Sequence, residues 1–220
     1  MSKKSLSLWD RQKAGALLKS GMPELGIADD HVQREKLLNY LALLIKWNTT
    51  YNLTAIREPE AMLKQHLLDS LSVVPCFSDC RNLLDVGSGG GLPGLVVAIV
   101  RPELPVSVID IVHKKTAFMN QVKIELGLQN VTVYTGRVEE LVTETKFDAI
   151  VSRAFSSLSD FIRLSGHLLK EDGRFYAMKG LIPMNEIGNL DPEWTVRKVK
   201  PLKIPGLDAQ RHVIIVGKNR

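Results

Sequence analysis

An apolar run at Leu83-Leu84 leads into Asp85-Val86-Gly87-Ser88-Gly89-Gly90-Gly91-Leu92-Pro93-Gly94, an acid followed at once by dense glycine. Glycine admits positive φ and lets the backbone approach a ligand with no Cβ in the way, whereas four glycines in five positions would weaken a purely structural turn. The tightest pattern is acidic-x-G-x-G-x-G, with Asp85, Gly87, Gly89 and Gly91 in place. A carboxylate there would repel a pyrophosphate and attract the ammonium and sulfonium of S-adenosylmethionine, so charge favours the methyl donor over a dinucleotide. A second carboxylate, Asp110, closes the run Val106 to Ile109 at about the roughly 20-residue distance at which a doubly wound fold sets an acid against a ribose diol.

Other side chains with chemical potential fall at expected strand ends. Gly136-Arg137-Val138-Glu139-Glu140 follows the third strand, where Val138 and Glu139 are candidates to contact adenine. Acids favouring a helix N-terminus explain the same residues equally well. Ser152-Arg153-Ala154-Phe155 ends the fourth strand, where Arg153 would touch the substrate. Lys179 ends the fifth, Arg137 follows the third and Arg211 precedes the last. Cations gathered on one rim would suit RNA phosphates; the plainer reading is surface ion pairing, stronger for Arg211 than for Arg153. His66 and Asp69 stand three apart on one helical face without a third ligand for a metal, and so read as a hydrogen-bonded pair. No Ser-His-Asp set or catalytic carboxylate pair is evident, and no N-P-P-Y or Pro-Cys motif follows the fourth strand, which disfavours adenine-N6 and cytosine-C5 methylation.

These residues need a frame. From residue 82 strands alternate with helices, the signature of a mostly parallel sheet. The strands expected are Asn82 to Val86, Val106 to Asp110, Val131 to Tyr134, Phe147 to Val151, Arg174 to Met178, Trp194 to Val199 and His212 to Val216, the last two forming an antiparallel hairpin. Helices are expected over Pro93 to Val100, Lys114 to Leu126, Val138 to Val142 and Leu158 to Leu169, with Pro93 in a first turn and Gly127 and Gly173 as stops. Upstream, Asp29 or Asp30 caps a helix striped by Leu37, Leu38, Leu41, Leu44 and Ile45, and a second helix starts at Glu58-Pro59. Trp47 to Arg57 shows neither period and reads as an ordered loop. The fold class is therefore α/β, a Rossmann-like seven-stranded methyltransferase sheet with an N-terminal helical extension, divided as a helical segment over 1–78 and a cofactor-binding core over 79–220.

Composition sets outer bounds. A chain of 220 residues, 45% hydrophobic and 24% charged, suffices for one α/β core with an appendage. No apolar run reaches the roughly 18 residues of a membrane span and the N-terminus lacks a signal-peptide core, so a cytoplasmic protein without a membrane partner is expected. Cys76 and Cys80 lack the further ligands of a zinc site and read as free buried thiols. Without secretion, the sequons at Asn48, Asn52 and Asn130 are turn residues. The net charge of +5 is concentrated at the ends: residues 193–220 hold seven Lys/Arg against two acids and residues 1–20 five against one. Basic ends suit a phosphate-bearing partner, although an ordinary solvated face accounts for them nearly as well.

Together with the loop and Asp110, the segments Trp47-Asn48-x-x-Tyr51-Asn52-Leu53-Thr54, Met62-Leu63-x-x-His66-x-Leu68-Asp69-Ser70, Arg137-Val138-Glu139-Glu140, Ser152-Arg153-Ala154-Phe155 and Gly173-Arg174-Phe175-Tyr176-Ala177-Met178-Lys179-Gly180 resemble the bacterial small-subunit ribosomal RNA guanine-N7 methyltransferases, the RsmG or GidB family. The resemblance implies methyl transfer to N7 of one guanine in the decoding-region loop of 16S ribosomal RNA within the cytoplasm; 16S RNA or the small subunit is the expected partner, and a monomer is expected. It implies cofactor contacts at Gly87, Leu92, Val138, Glu139 and Arg153, with Asp110 at the ribose and Asp85 and Gly89 in the loop. Arg153 and Lys179 would orient the guanine, and Arg137, Lys179 and Arg211 would hold RNA. Gly90 departs from relatives, which often carry Pro or Ala there, and residues 1–20 resemble little in the family. Two rivals remain from the residues themselves: an NAD-dependent reductase on the same loop, and a non-catalytic RNA-binding protein.

Overall fold

The computed structural model describes residues 10–153, 155 and 157–219. The helices are α1 (Arg11–Glu24), α2 (His31–Tyr51), α3 (Pro59–Met62), α4 (Asp69–Ser72), α5 (Gly94–Val100), α6 (His113–Leu126), α7 (Leu158–Ser165) and α8 (Met184–Gly188). A π-helical turn, Leu63–Leu68, joins α3 to α4. The strands are β1 (Leu83–Val86), β2 (Val106–Asp110), β3 (Val131–Thr135), β4 (Phe147–Ser152), β5 (Leu169–Lys179), β6 (Trp194–Pro201) and β7 (His212–Lys218).

They form one sheet in the order β3-β2-β1-β4-β5-β7-β6. The pairs among β1 to β5 are parallel, and β7 runs antiparallel to both β5 and β6. Successive strand side chains face opposite ways, so each buried strand feeds two cores. Leu83, Ala149, Val151, Tyr176, Met178 and Val213 join one core, which the N-terminal helices, α5 and α6 complete. Leu84, Ile150, Phe175, Ala177 and Ile214 join the other, under α7. Every residue of α5 is buried, as required of a helix wedged between the sheet and the N-terminal layer.

The order reverses beside β1, whose neighbours are β2 and β4, and the crevice at the carboxyl ends of these strands is where such a sheet receives ligands. Several elements differ from expectation: the helix expected over Val138 to Val142 is a single 3-10 turn, Val138–Glu140, and α8 falls between β5 and β6, where no helix was expected. Trp47 to Tyr51 is the last turn of α2, because Trp47 lies 5.0 Å from the Tyr51 ring one turn on and 5.5 Å from Phe118 of α6, and Asn52 stops the helix in the left-handed region. Leu169 to Gly173 extends β5, with a register irregularity opposite Phe147 and Ala149, where a helix end was expected. α1 had no counterpart in the sequence reading; Asp10 caps it by accepting from the Lys13 amide, and it buries Ala14, Leu18 and Met22. Cys76 and Cys80 are free but half-buried, the Cys80 thiol pushed up to about 11 by burial. Ala154 of the fourth-strand motif, and residues 1–9 of the N-terminal segment, lie outside the described residues.

Candidate functional site

The glycine loop runs from the end of β1 to α5. Gly87, Gly89 and Gly91 have φ of 69°, 59° and 85°, the region that glycine alone enters freely. A Cβ on Gly94 would lie 2.6 Å from Val108 Cγ1 and 2.9 Å from Asp85 Oδ2, so helix and strand pack this closely only because residue 94 is glycine. The loop is held from three sides. Asp110 accepts from the Gly89 amide at 2.9 Å through Oδ2 and from the Val112 amide at 2.9 Å through Oδ1. Tyr40 of α2 donates its buried hydroxyl to the Gly90 carbonyl at 2.8 Å, which anchors the loop to the N-terminal layer. Asp85 Oδ2 accepts from the Gly94 amide at 2.8 Å.

Asp85 is fully buried and lines neither of the hollows beside the loop, so it acts on the loop from beneath. Its Oδ1 has no partner, and burial raises its pKa to about 7 against the pull of the Gly94 amide.

Two hollows meet at Gly87 and Lys115. The smaller, about 320 Å³, is bounded by Asp110, Ile111, Val138, Glu139 and Phe155. Ile111 is apolar yet 53% exposed there. Apolar surface beside two carboxylates suits a nucleoside, with a flat base and a diol. The larger hollow, about 440 Å³, takes Lys115, Arg153, Lys179 and Arg211 together with His66 and Asp69. Arg153 and Arg211 share the buried Asp69 carboxylate, Lys115 lies 3.6 Å from Asp110 and Lys179 3.1 Å from Glu186, and the four cations lining one hollow make it an anion-attracting chamber. Leu92 and Gly89 line this chamber as well.

The chamber is organised by Asp69. Arg153 Nη1 donates to its Oδ2 at 2.9 Å, and Arg211 Nε to its Oδ1 at 3.1 Å. Arg153 also reaches the Gln65 carbonyl at 3.4 Å. The π-helical turn exposes that carbonyl: the Asp69 amide bonds to the Lys64 and His66 carbonyls and bypasses Gln65. The same turn breaks the ordinary helical spacing, so the expected His66–Asp69 hydrogen bond is not formed. His66 Nε2 instead lies 2.9 Å from Thr54 Oγ1, and Nδ1 lies 3.2 Å from the Gln65 carbonyl. A carbonyl only accepts, so Nδ1 carries the proton and Nε2 accepts from the Thr54 hydroxyl. Burial and the nearby Arg153 hold the His66 pKa down to about 4, so the ring is neutral. Asn48 fastens this wall, accepting from the Thr54 amide at 2.8 Å and donating to the Ile56 carbonyl at 3.1 Å.

Lys179 Nζ donates to Glu186 at 3.1 and 3.3 Å and to the Phe155 carbonyl at 3.2 Å. Arg137 sits apart from Lys179 and Arg211, on the nucleoside-shaped hollow, 3.3 Å from Glu139. The structure thus brings Arg153, Lys179 and Arg211 together and leaves Arg137 on the other side of Gly87. Sequence reading missed Tyr40, Thr54, Lys115 and Ile111 as site residues; an isoleucine straight after the acid that ends β2 was the available signal.

The model of the family described as rRNA small subunit methyltransferase G matches residues 33–214. A protein of Herminiimonas arsenicoxydans named ribosomal RNA small subunit methyltransferase G is 52% identical over 215 residues, covering 96% of this chain and 99% of that one. One of the same name from Neisseria meningitidis serogroup C is 48% identical, covering 91% and 97%. Among solved structures, TrmN from Thermus thermophilus superposes with a TM-score of 0.56 at 19% identity over 71% of this chain and 53% of its own. An S-adenosylmethionine-dependent methyltransferase from Thiobacillus denitrificans, in complex with S-adenosyl-L-homocysteine, gives 0.51 at 12% identity over 69% and 90%.

Proposed function

The chain belongs to the rRNA small subunit methyltransferase G family, and from that premise we propose that it methylates N7 of one guanine in the decoding-region loop of 16S ribosomal RNA, using S-adenosylmethionine. The observation that carries this reading is the junction at Gly87 of a nucleoside-shaped, acidic hollow with a cationic chamber. The first fits the adenosine of the methyl donor: Asp110 for the ribose, Ile111 and Val138 for the base, Glu139 at its edge. Gly87, Gly89 and Leu92 would pass the donor's amino-acid end toward Arg153, with Asp85 holding the loop from beneath through the Gly94 amide. When bound, the donor supplies a methyl group activated by a sulfonium.

Guanine N7 attacks with a lone pair and has no proton to lose, so no general base is needed and orientation dominates. The chamber agrees with this. His66 is a poor base, its Nε2 lone pair accepting from Thr54 and its pKa held down to about 4, and Asp69 already accepts from two arginines, so neither stands ready to take a proton. Arginine often grips guanine through O6 and N7 together, but N7 must stay free here. Arg153 and Lys179 therefore contact O6 or a phosphate, Arg211 takes a phosphate at the rim, and Arg137 reaches RNA only beyond the cofactor side. The enzyme works as a cytoplasmic monomer on 16S RNA or the small subunit, with residues 1–78 as a helical segment and 79–220 as the core. Among the described residues no helix is long and apolar enough to cross a membrane.

The test is transfer of labelled methyl from S-adenosylmethionine to 16S RNA by the purified protein, mapped by reverse transcription after borohydride and aniline cleavage. One stop in the decoding region is expected. RNA binding without a stop would leave a non-catalytic binder, and binding of NADH but not of S-adenosylmethionine would leave a reductase.

A further inference from the structure

Beyond Lys179 and Gly180, which line the cationic chamber, the chain displays Leu181 and Met184 at 71% exposure each and Ile182 at 39%. Single exposed apolar residues are ordinary, but three within four positions on one rim are not. The helix they lead into, α8, buries none of its residues. The backbone beneath is nonetheless fixed. The Gly180 carbonyl accepts from His212 Nδ1 at 2.8 Å, and the Ile182 carbonyl from the Met184 amide at 3.0 Å. Glu186 accepts from the Leu158 amide at 2.7 Å while holding Lys179. Braced backbone under solvent-facing apolar side chains is a display, sustained against the tendency of such side chains to turn inward.

The chemistry of the acceptor says what the display meets. N7 lies on the major-groove edge of guanine. In A-form RNA that groove is deep and too narrow for side chains, so an enzyme reaches N7 only where the base is drawn out of its stack. Drawing it out costs a few kcal/mol, and proteins that open a stack do so with apolar side chains inserted between bases. We propose that Leu181, Ile182 and Met184 form a wedge that enters the base stack beside the target guanine as that guanine moves into the chamber. This rests on the ribosomal RNA reading above. The occupant is RNA because apolar surface alternates here with cations: base faces meet Leu181 and Met184 while neighbouring phosphates meet Lys179 and Arg211.

The experiment compares wild type with Leu181→Ala/Met184→Ala, Leu181→Phe/Met184→Phe and Ile124→Ala, the last removing an isolated, 74% exposed apolar residue on α6. Methylation of 16S RNA and S-adenosylmethionine affinity are measured for each. The alanine pair should lose on the order of tenfold to a hundredfold in kcat/KM, about the worth of one fully buried apolar side chain shared between two partly inserted ones. The phenylalanine pair and Ile124→Ala should stay within about threefold of wild type, and cofactor affinity should match in all, since neither Leu181 nor Met184 lines a hollow. In a decoding-region hairpin carrying 2-aminopurine beside the target guanine, wild type should raise the fluorescence by unstacking the probe, and the alanine pair should not. An alanine pair within twofold of wild type, or equal fluorescence rises, overturns the wedge. Wild type leaving all RNA unmethylated overturns the ribosomal RNA reading instead.

Discussion

Asp69→Asn tests whether one buried carboxylate sets the chamber. The side chain is 6% exposed and gives one oxygen to each of two arginines, at 2.9 and 3.1 Å. An amide keeps one acceptor and turns a donor toward the other guanidinium, so one charge-assisted bond is lost and both cations lose their counter-charge. Such a bond contributes about 1.5–3 kcal/mol. Removing one member of a fully buried pair costs about 3–5 kcal/mol. Arg153 and Arg211 keep 23% and 28% of their side chains exposed, and water screens the charge that the amide leaves uncompensated, so the lower range applies. About 2 kcal/mol is roughly a thirtyfold loss in kcat/KM for 16S RNA. The assay is a double-mutant cycle with Arg211→Gln for RNA kinetics, and a second with Arg153→Gln for cofactor affinity by calorimetry. If Asp69 acts through the arginines, its substitution has little further effect in either background. Equal losses with and without each arginine would refute the reasoning and leave Asp69 a residue of general stability.

Two separately buried groups, Asp85 and His66, should show opposite pH dependence. Asp85 is raised from 3.8 to about 7 in the fold, so its ionisation removes stability as pH climbs through that window; His66 is lowered from 6.5 to about 4, so stability is lost as pH falls through its window. Relative to wild type, Asp85→Asn should therefore gain unfolding free energy between pH 4 and 7 at up to about 1.4 kcal/mol per pH unit, read from urea melts; parallel profiles would contradict the burial account. Tyr40→Phe removes the buried bond to the Gly90 carbonyl and should cost about 1–2 kcal/mol with a few-fold weaker cofactor binding, checked by thermal melts and calorimetry. Gly94→Ala places a methyl against Val108 and Asp85 and should cost about 1–3 kcal/mol by overpacking, with loss of cofactor binding. Gly89→Ala meets nothing within 4 Å, so its cost should come from its positive φ alone, about 1–2 kcal/mol.

The sheet was legible because local signals agreed: Val106 to Asp110 is short and rich in β-branched residues, starts after Pro105 and ends in an acid, and it forms β2 over the same residues. The glycine turn between β1 and α5 was legible because Gly87, Gly89 and Gly91 carry a backbone requirement that is itself sequence. α1 was hidden because its stripe is a thin Ala14-Leu18-Met22 spacing broken by Gly15, Gly21 and Pro23. The end of α2 was hidden because Asn48, Thr49 and Thr50 form helix poorly alone and hold it through ring contacts and the Asn48 bonds. Least legible was the chamber. Asp69 and Arg211 are 142 positions apart, and the π-helical turn that separates His66 from Asp69 leaves no composition mark. Charge pattern alone grouped Arg137 with Lys179 and Arg211, and only the sheet order reveals that β3 places it on the smaller hollow, beyond Gly87.

Methylation of the ribosome by this chain is tested most directly in cells: 16S ribosomal RNA from a strain lacking the chain, and from the same strain with the chain restored, is mapped for N7-methylguanine by borohydride and aniline cleavage. One decoding-region cleavage should disappear without the chain and return with it, but not with Asp69→Asn/Arg153→Gln. An unchanged cleavage pattern in the deletion strain would contradict the assignment.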